Sequence, residues 1–418
     1  MKPLPPAAGA KPRPLIFAYP AYGWFWCARV ASGVAFQIQA VAVGWQIYEI
    51  THSTFMLGMA GLVQFVPIVL FTLIAGHVAD RYDRRIVYGI ALGMQGIASA
   101  VLALGTWGHW LGIPGIFAVV ALIGSARSFQ GPATQALLPT LVPEPLVPKA
   151  IAWATGAFQT ASIVGPSIGG LLYAFGPAVP YAAASGLALV GTGFIAVMRQ
   201  ERKARPRQPT TFSSLFSGIR FIRAKPVILG SISLDLFAVL LGGATALLPA
   251  FARDILHVGV WGLGMLRSAP AVGSVVMSIY LVRHPPDRGV GRKMFAAVIA
   301  FGITTIVFGL SRSFALSFAA LLLMGAADTI SVVIRSSLVQ LETPDEMRGR
   351  VGAVNSLFIG TSNQLGEFES GVTASLFGTV QATVLGGVGT LVVALLWMRL
   401  FPSLSAFDRF GKNPRAAP

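Results

Sequence analysis

The sequence predicts an all-α integral membrane protein, with twelve transmembrane helices in two pseudo-symmetric six-helix bundles. Two observations predict it. Hydrophobic residues make up 55% of the 418-residue chain and charged residues only 11%, and a soluble protein this apolar could not cover its surface. The chain also repeats itself. Residues 141–170 and 341–371 align at an offset of 201 residues, pairing Pro143 with Pro344, Ala152 with Ala353, Gly165 with Gly366 and Gly170 with Gly371. The same offset pairs Gly124 with Gly325 and sets Arg127 against Asp328. Duplicated apolar halves, with a substrate site where they meet, mark a secondary transporter.

Apolar runs of about 20 residues span the hydrocarbon. Twelve follow one another here: 21–48, 55–78, 86–107, 114–139, 149–175, 180–198, 226–251, 260–282, 294–311, 314–340, 350–376 and 380–399. The first carries Arg29 and no small-residue cleavage site, so it reads as a retained helix rather than a signal peptide. Residues 199–225 are a basic stretch broken by Pro206 and Pro209, a cytoplasmic linker between bundles at 1–198 and 226–418. Within it, Thr211 to Lys225 are expected to form an amphipathic helix on the inner leaflet, with Phe212, Leu215, Phe216, Ile219 and Ile222 on one face. With both termini cytoplasmic, only Arg253 and Arg312 face outside, and the inner loops and tails hold most of the 31 Lys and Arg residues. The net charge of +16 is therefore topological, and nucleic acid is not an expected partner.

Enzyme chemistry finds no support. A lone cysteine, Cys27, excludes an intrachain disulfide, and the five histidines (His52, His77, His109, His257, His284) fall at helix ends or loops. No metal or cofactor is expected. There is no P-loop, and clusters such as Gly191-Thr-Gly193 follow no strand, so ATP-driven transport would need a separate subunit.

The loop after the second span reads Gly76-His-Val-Ala-Asp80-Arg81-Tyr-Asp83-Arg84-Arg85. It resembles the signature of the major facilitator superfamily, with Asp83 where glycine is usual. Gly165-Pro166-x-x-Gly169-Gly170 in span five resembles the superfamily's antiporter motif, with Ala161 where a leading glycine is common. Together with PDEMRGRVGAVNSLF (344–358) and LGEFESG (365–371), these are similar to the enterobactin-exporter-like branch, the transmembrane secretion effectors, over essentially residues 15–400. The resemblance implies the major facilitator fold in a bacterial inner membrane. Spans one, four, seven and ten would line a central cavity, and three, six, nine and twelve would form the scaffold. It also implies that Asp80 locks the inner side by capping span eleven near Gly349-Arg350, where the helix dipole favours an anion. Arg81, Arg84 and Arg85 either pair with Glu144, Asp345 or Glu346 or anchor at headgroups, and Arg348 and Arg350 flank the same point. Asp287, with Arg288, Arg292 and Lys293, looks like a degraded second copy facing span five. Gly165, Gly169 and Gly170 leave a stripe for close backbone approach and Pro166 permits a bend, serving either packing or gating.

Charges inside spans cost several kcal/mol if they face lipid, so each asks for a function. They are Arg29, Arg127, Asp235, Arg267, Asp328, Arg335, Glu367 and Glu369. Histidine is absent from the spans, so proton coupling must rest on carboxylates. Asp235 and Asp328 are the first candidates as proton carriers, with Glu367 third. Glu367 and Glu369 point about 200° apart on a helix, so one of them faces the cavity. Arg127 and Arg29 would adjust proton affinity or hold an anionic substrate. Arg127 and Asp328 form either a structural ion pair or a switch made in one state and broken in the other. Arg335 shares a face with Asp328 but lies near enough to the inner end to snorkel. Phe36, Gln37 and Trp45 either add cavity surface or serve core packing, the commoner fate of such residues. The sequence thus reads as a monomeric proton antiporter exporting a small siderophore-like or drug-like compound. The alternatives are an importer of the same fold and the membrane subunit of an ATP-driven complex.

Overall fold

The computed structural model describes residues 16–199 and 212–410. Twelve long helices run through the described residues: α1 (Pro20–Thr51), α2 (Thr54–Arg81), α3 (Arg84–Trp107), α4 (Ile113–Leu137), α5 (Val147–Tyr173), α6 (Val179–Val197), α7 (Pro226–Leu241), α8 (Gly259–Arg283), α9 (Val290–Leu310), α10 (Phe314–Leu341), α11 (Asp345–Phe377) and α12 (Thr379–Leu400). Ten segments are long and apolar enough to cross a membrane. The other two helices are α5 and α11, the two copies of the repeat, whose glycines and polar residues dilute their apolarity.

Local chemistry sets the boundaries. Proline opens α1, α4, α5, α6 and α7, where its missing N–H costs nothing. Asp83 caps α3 by accepting from the Arg85 amide at 2.9 Å, which explains an aspartate in place of the usual glycine. Ile86, Ile90 and Ile97 on α3 and Leu385, Val392 and Leu395 on α12 stay exposed, an apolar exterior suited to lipid, with Trp107 and Trp110 at its edge.

α3 packs with α6, and α9 with α12. Contact between the first six helices and the last six runs chiefly through α5 with α8 and α2 with α11. The repeated glycines make these contacts in matching fashion. A methyl group on Gly165 would stand 2.5 Å from Gln37 of α1, and one on Gly366 would stand 2.9 Å from the Val239 carbonyl of α7. On Gly170 it would lie 3.3 Å from the Gly264 Cα of α8, and on Gly371 it would lie 2.6 Å from the Gly58 Cα of α2. Gly124 likewise presses on the Gln64 carbonyl of α2, and Gly325 on the Pro270 carbonyl of α8. Ala161, where a glycine was expected, faces Gly33 of α1, so the missing glycine has moved to the opposite helix.

Three expectations are corrected. The seventh span runs past 251 to Ile255, but not as one continuous helix. The helix stops at Leu241 and resumes after Gly242-Gly243 as short turns through Ile255, with Gly243 close against the Gly366 carbonyl at the break. The eleventh helix begins at Asp345 rather than near Gly349-Arg350, since Pro344 precedes it as a natural start. The linker helix (Phe212–Ala224) turns Ile219 and Ile222 against Ile228, Val351 and Val354, so this part of its apolar face meets protein rather than lipid. The side chains of Phe212, Leu215 and Phe216 lie outside the described residues.

Because α8 and α10 meet backbone to backbone at Gly325, Gly325→Val should lower the thermal midpoint of the detergent-solubilised protein. Overpacking of this kind costs about 1–3 kcal/mol. Gly124→Val should do the same in the first copy, whereas Gly186→Val, with open space around it, should leave the midpoint unchanged.

Candidate transport site

α1, α2 and α4 face α8, α11 and the segment after α7 across a pocket. Phe36, Gln39 and Gln64 line its first wall, and Thr245, Ala246 and Pro249 close it where α7 has broken. Arg267 and Glu367 are its charged residues. Glu367 lies against Gly61, where a methyl group would stand 2.8 Å from its Oε2. Arg267 donates to the Ala40 carbonyl at 3.2 Å and interacts with Glu367 across the pocket without a direct ion pair. Both charges therefore remain available to a ligand.

A second, smaller cavity lies entirely among α7, α9 and α10 and is lined by Asp235, Phe301, Asp328 and Ser331. Asp235 pairs with Arg335, and both side chains are almost wholly buried. Arg335 therefore does not snorkel. The structure does not join Arg127 to Asp328. Asp328 faces Asp235 and Arg335 instead, and the Arg127 guanidinium lies 3.4 Å over the Phe36 ring, a cation–π contact. Span nine, expected as pure scaffold, supplies Ala297, Val298 and Phe301 to this cavity.

The remaining sequence candidates sort clearly. Glu367 faces the pocket, while Glu369 accepts from Thr373 on its own helix at 2.6 Å. Gln37 donates to Ser162 of α5 at 3.1 Å, and Trp45 packs edge-on to Tyr173, so neither lines the pocket. Arg29 sits near Tyr22 and Tyr88 rather than at either cavity. Arg84 donates to the carbonyls of Ala79 and Ala136, and Arg85 to that of Met198, so these two staple the α2–α3 turn to neighbouring helix ends. Arg81 is exposed. The side chains of Asp80 and Asp345 lie outside the described residues. Arg350 donates to Ser217 of the linker helix at 3.4 Å, and Arg348 beside it also has a partner. Asp287 is exposed; two residues further on, the Gly289 amide donates to Asp408, from the C-terminal segment, at 2.8 Å. Gly165 and Gly169 pack on α1, and Gly170 packs on α8, where the Pro166 carbonyl meets Gly264.

Sequence reasoning missed Arg267 as a pocket residue and the far-side latch altogether. At the end of α1 away from the linker, Tyr48 donates to Asp254, joining α1 to the segment after α7. Tyr173 donates to Glu49 at 2.8 Å, and Arg253, with a buried Nη1 lacking a partner, sits near both phenols. Ser268 of α8 donates to the Ile163 carbonyl at 2.6 Å and meets Ser167 at 3.0 Å. On the linker side, Ile151, Trp153 and Phe158 of α5 and Leu357 and Phe358 of α11 are uncovered.

Tyr48→Phe should open the far side. A hydrogen bond to a charged group contributes about 1.5–3 kcal/mol, roughly a tenfold or greater shift in a two-state balance. An impermeant maleimide applied from the far side should label Thr245→Cys, in a Cys27→Ala background, faster by about that factor. Unchanged labelling would show that Tyr48–Asp254 does not hold the closure.

Comparison with known proteins agrees with this architecture. The enterobactin exporter EntS of Citrobacter koseri is 27% identical over 411 residues, covering 97% of each chain. EntS of Shigella boydii is 26% identical over 400 residues, covering 94% of each. Among solved structures, a D-xylose–proton symporter matches with a TM-score of 0.73 at 12% identity, over 92% of this chain and 99% of that one. A bacterial homologue of the iron transporter ferroportin, in an inward-facing state, matches at 0.68 with 18% identity, over 93% and 99%. At such identities the two structures speak for the fold alone. The transmembrane secretion effector family matches residues 14–417, and this chain belongs to that family of major facilitator transporters.

Proposed function

We propose that this protein exports a small organic compound across a bacterial inner membrane in exchange for protons, with the termini and linker in the cytoplasm. The observation that carries the reading is the pocket between the first six helices and the last six, closed on the far side and bearing Arg267 and Glu367. The bundles 1–198 and 226–418 would rock about it as a monomer, presenting it to one side at a time. Asp80 would hold the linker side in the opposite state, and Pro166 would give α5 its bend. Asp235 and Asp328 together form the proton-carrying pair of this scheme, with Glu367 next.

The pocket supports a substrate class. Its walls combine an aromatic face, amides and one charge of each sign, which suits an amphiphile with several hydrogen-bonding groups and an acidic function for Arg267. Relatives named as enterobactin exporters favour a siderophore-like compound within that class. Growth of a deletion strain across siderophores and toxic amphiphiles, followed by efflux assays, tests the assignment.

In inverted vesicles, an inwardly directed proton gradient would oppose export, whereas an acidic lumen should drive uptake of the exported compound. Asp235→Asn and Asp328→Asn should each abolish this pH-driven uptake while retaining substrate exchange. Full pH-driven uptake in both variants would remove these residues from coupling. Uptake that survives an uncoupler would favour an ATP-driven partner, and the opposite direction would favour an importer.

A further inference from the structure

The cavity among α7, α9 and α10 is one positive charge short. Asp235 and Asp328 bring two carboxylates and Arg335 one guanidinium, while α9 offers only Ala297, Val298 and Phe301. Asp235 and Arg335 are the charged groups that act on Asp328. Two buried atoms here have no hydrogen-bond partner, Ser331 Oγ and Arg335 Nε. Ser331 is only 3% exposed and lines the cavity. It stands three residues after Asp328 and four before Arg335, so the three share one face of α10. Side chains on a helix lean toward its start, which carries the guanidinium back toward Ser331 and Asp328.

Leaving one carboxylate uncompensated in such a place is costly, and an unpaired buried hydroxyl adds to that cost. A single cation would answer both. A metal ion fits poorly, because the guanidinium repels it and already holds one Asp235 oxygen, leaving fewer side-chain oxygens than the roughly six a hard cation collects. A proton needs one carboxylate oxygen and one acceptor.

We propose that this cavity is a single-proton site separate from the transport pocket, with the proton on Asp328, Ser331 as its hydrogen-bond partner and Arg335 holding Asp235. The only bond made is O–H on an Asp328 oxygen, and the proton comes from and returns to water. Deprotonation leaves two carboxylates competing for one guanidinium, which draws Arg335 from Asp235. α7 carries Asp235 and, after Gly242-Gly243, leads into Thr245, Ala246 and Pro249 at the pocket. Release of Asp235 thus loosens the segment that closes the pocket. This use of the site rests on the proton-exchange reading above, but proton binding itself needs no substrate.

Infrared difference spectra of the whole protein in liposomes, recorded between acid and alkaline pH without substrate, test the site. The wild type should show a protonated-carboxyl C=O band that disappears as pH rises. Asp328→Asn should lack it, and Glu367→Gln should keep it unmoved. Ser331→Ala should keep the band at a shifted frequency, because its hydrogen bond is gone. That variant alters no charge, so it decides the matter even if Asp328→Asn fails to fold. The proposal is overturned by a wild type without the band, by a band that persists in Asp328→Asn, by an unshifted band in Ser331→Ala, or by a band that sodium removes at constant pH. If the band behaves as expected but transport ignores a proton gradient, the site stands and the exchange reading fails.

Discussion

Between helices in a bilayer there is no hydrophobic force to press one against another, since lipid is as apolar as a leucine side chain. Association must come from close backbone approach and from a few polar contacts. This chain makes its approaches at glycines, and it makes them twice. Gly124 and Gly325, Gly165 and Gly366, and Gly170 and Gly371 each bring their helix onto an equivalent neighbour. Gly170 and Gly371 are the pair that reaches across from one set of six helices to the other, onto α8 and α2. Both contacts lie toward the closed far side, and Gly61, three residues along α2 from Gly58, lines the pocket.

Polar contacts then decide which closures can be undone. A glycine contact is geometric and cannot be switched by chemistry. The Tyr48–Asp254 and Ser268–Ile163 bonds add a reversible element at the same end. Arg267 does both jobs: it bonds the Ala40 carbonyl across the pocket and leaves charge for a ligand. A ligand acid that competes for this guanidinium weakens a contact between the two sets of helices, which is how binding can favour one state over another.

The helices, the repeat and the buried charges were all legible in the sequence, because length, offset and hydropathy are one-dimensional properties. Rotation was not. In a soluble helix the apolar stripe reveals which face is buried, but here lipid and core are both apolar and the stripe vanishes. Only where two charges sat two residues apart, as in Glu367 and Glu369, did the sequence limit the answer to one of them. The partner of Asp235 is Arg335 rather than anything within its own helix, and nothing in the spacing of α7 and α10 fixes their relative phase. Tyr48, Asp254 and Glu49 escaped notice because they sit at span ends, where polar residues are ordinary. The break in α7 was visible as Gly242-Gly243, yet such pairs also occur in unbroken membrane helices, as Gly169-Gly170 in α5 shows.

Comparison of the two copies of the repeat indicates where change is built in. Arg127, Gln130 and Thr134 in α4 stand at the offset positions of Asp328, Ser331 and Arg335 in α10. In the first copy each has a settled partner: Arg127 lies on Phe36, Gln130 donates to Gln95 and Thr134 bonds its own helix. None of those arrangements depends on a proton. In the second copy the same three positions hold an acid, an unpartnered hydroxyl and a guanidinium with a free Nε around a cavity. Duplication therefore preserved the glycine framework in both copies while the residues between the glycines diverged, one set toward fixed packing and the other toward a cluster whose charge balance can change. Under the proposed exchange, a carrier built this way would move as two symmetric bodies and take its driving force from one of them.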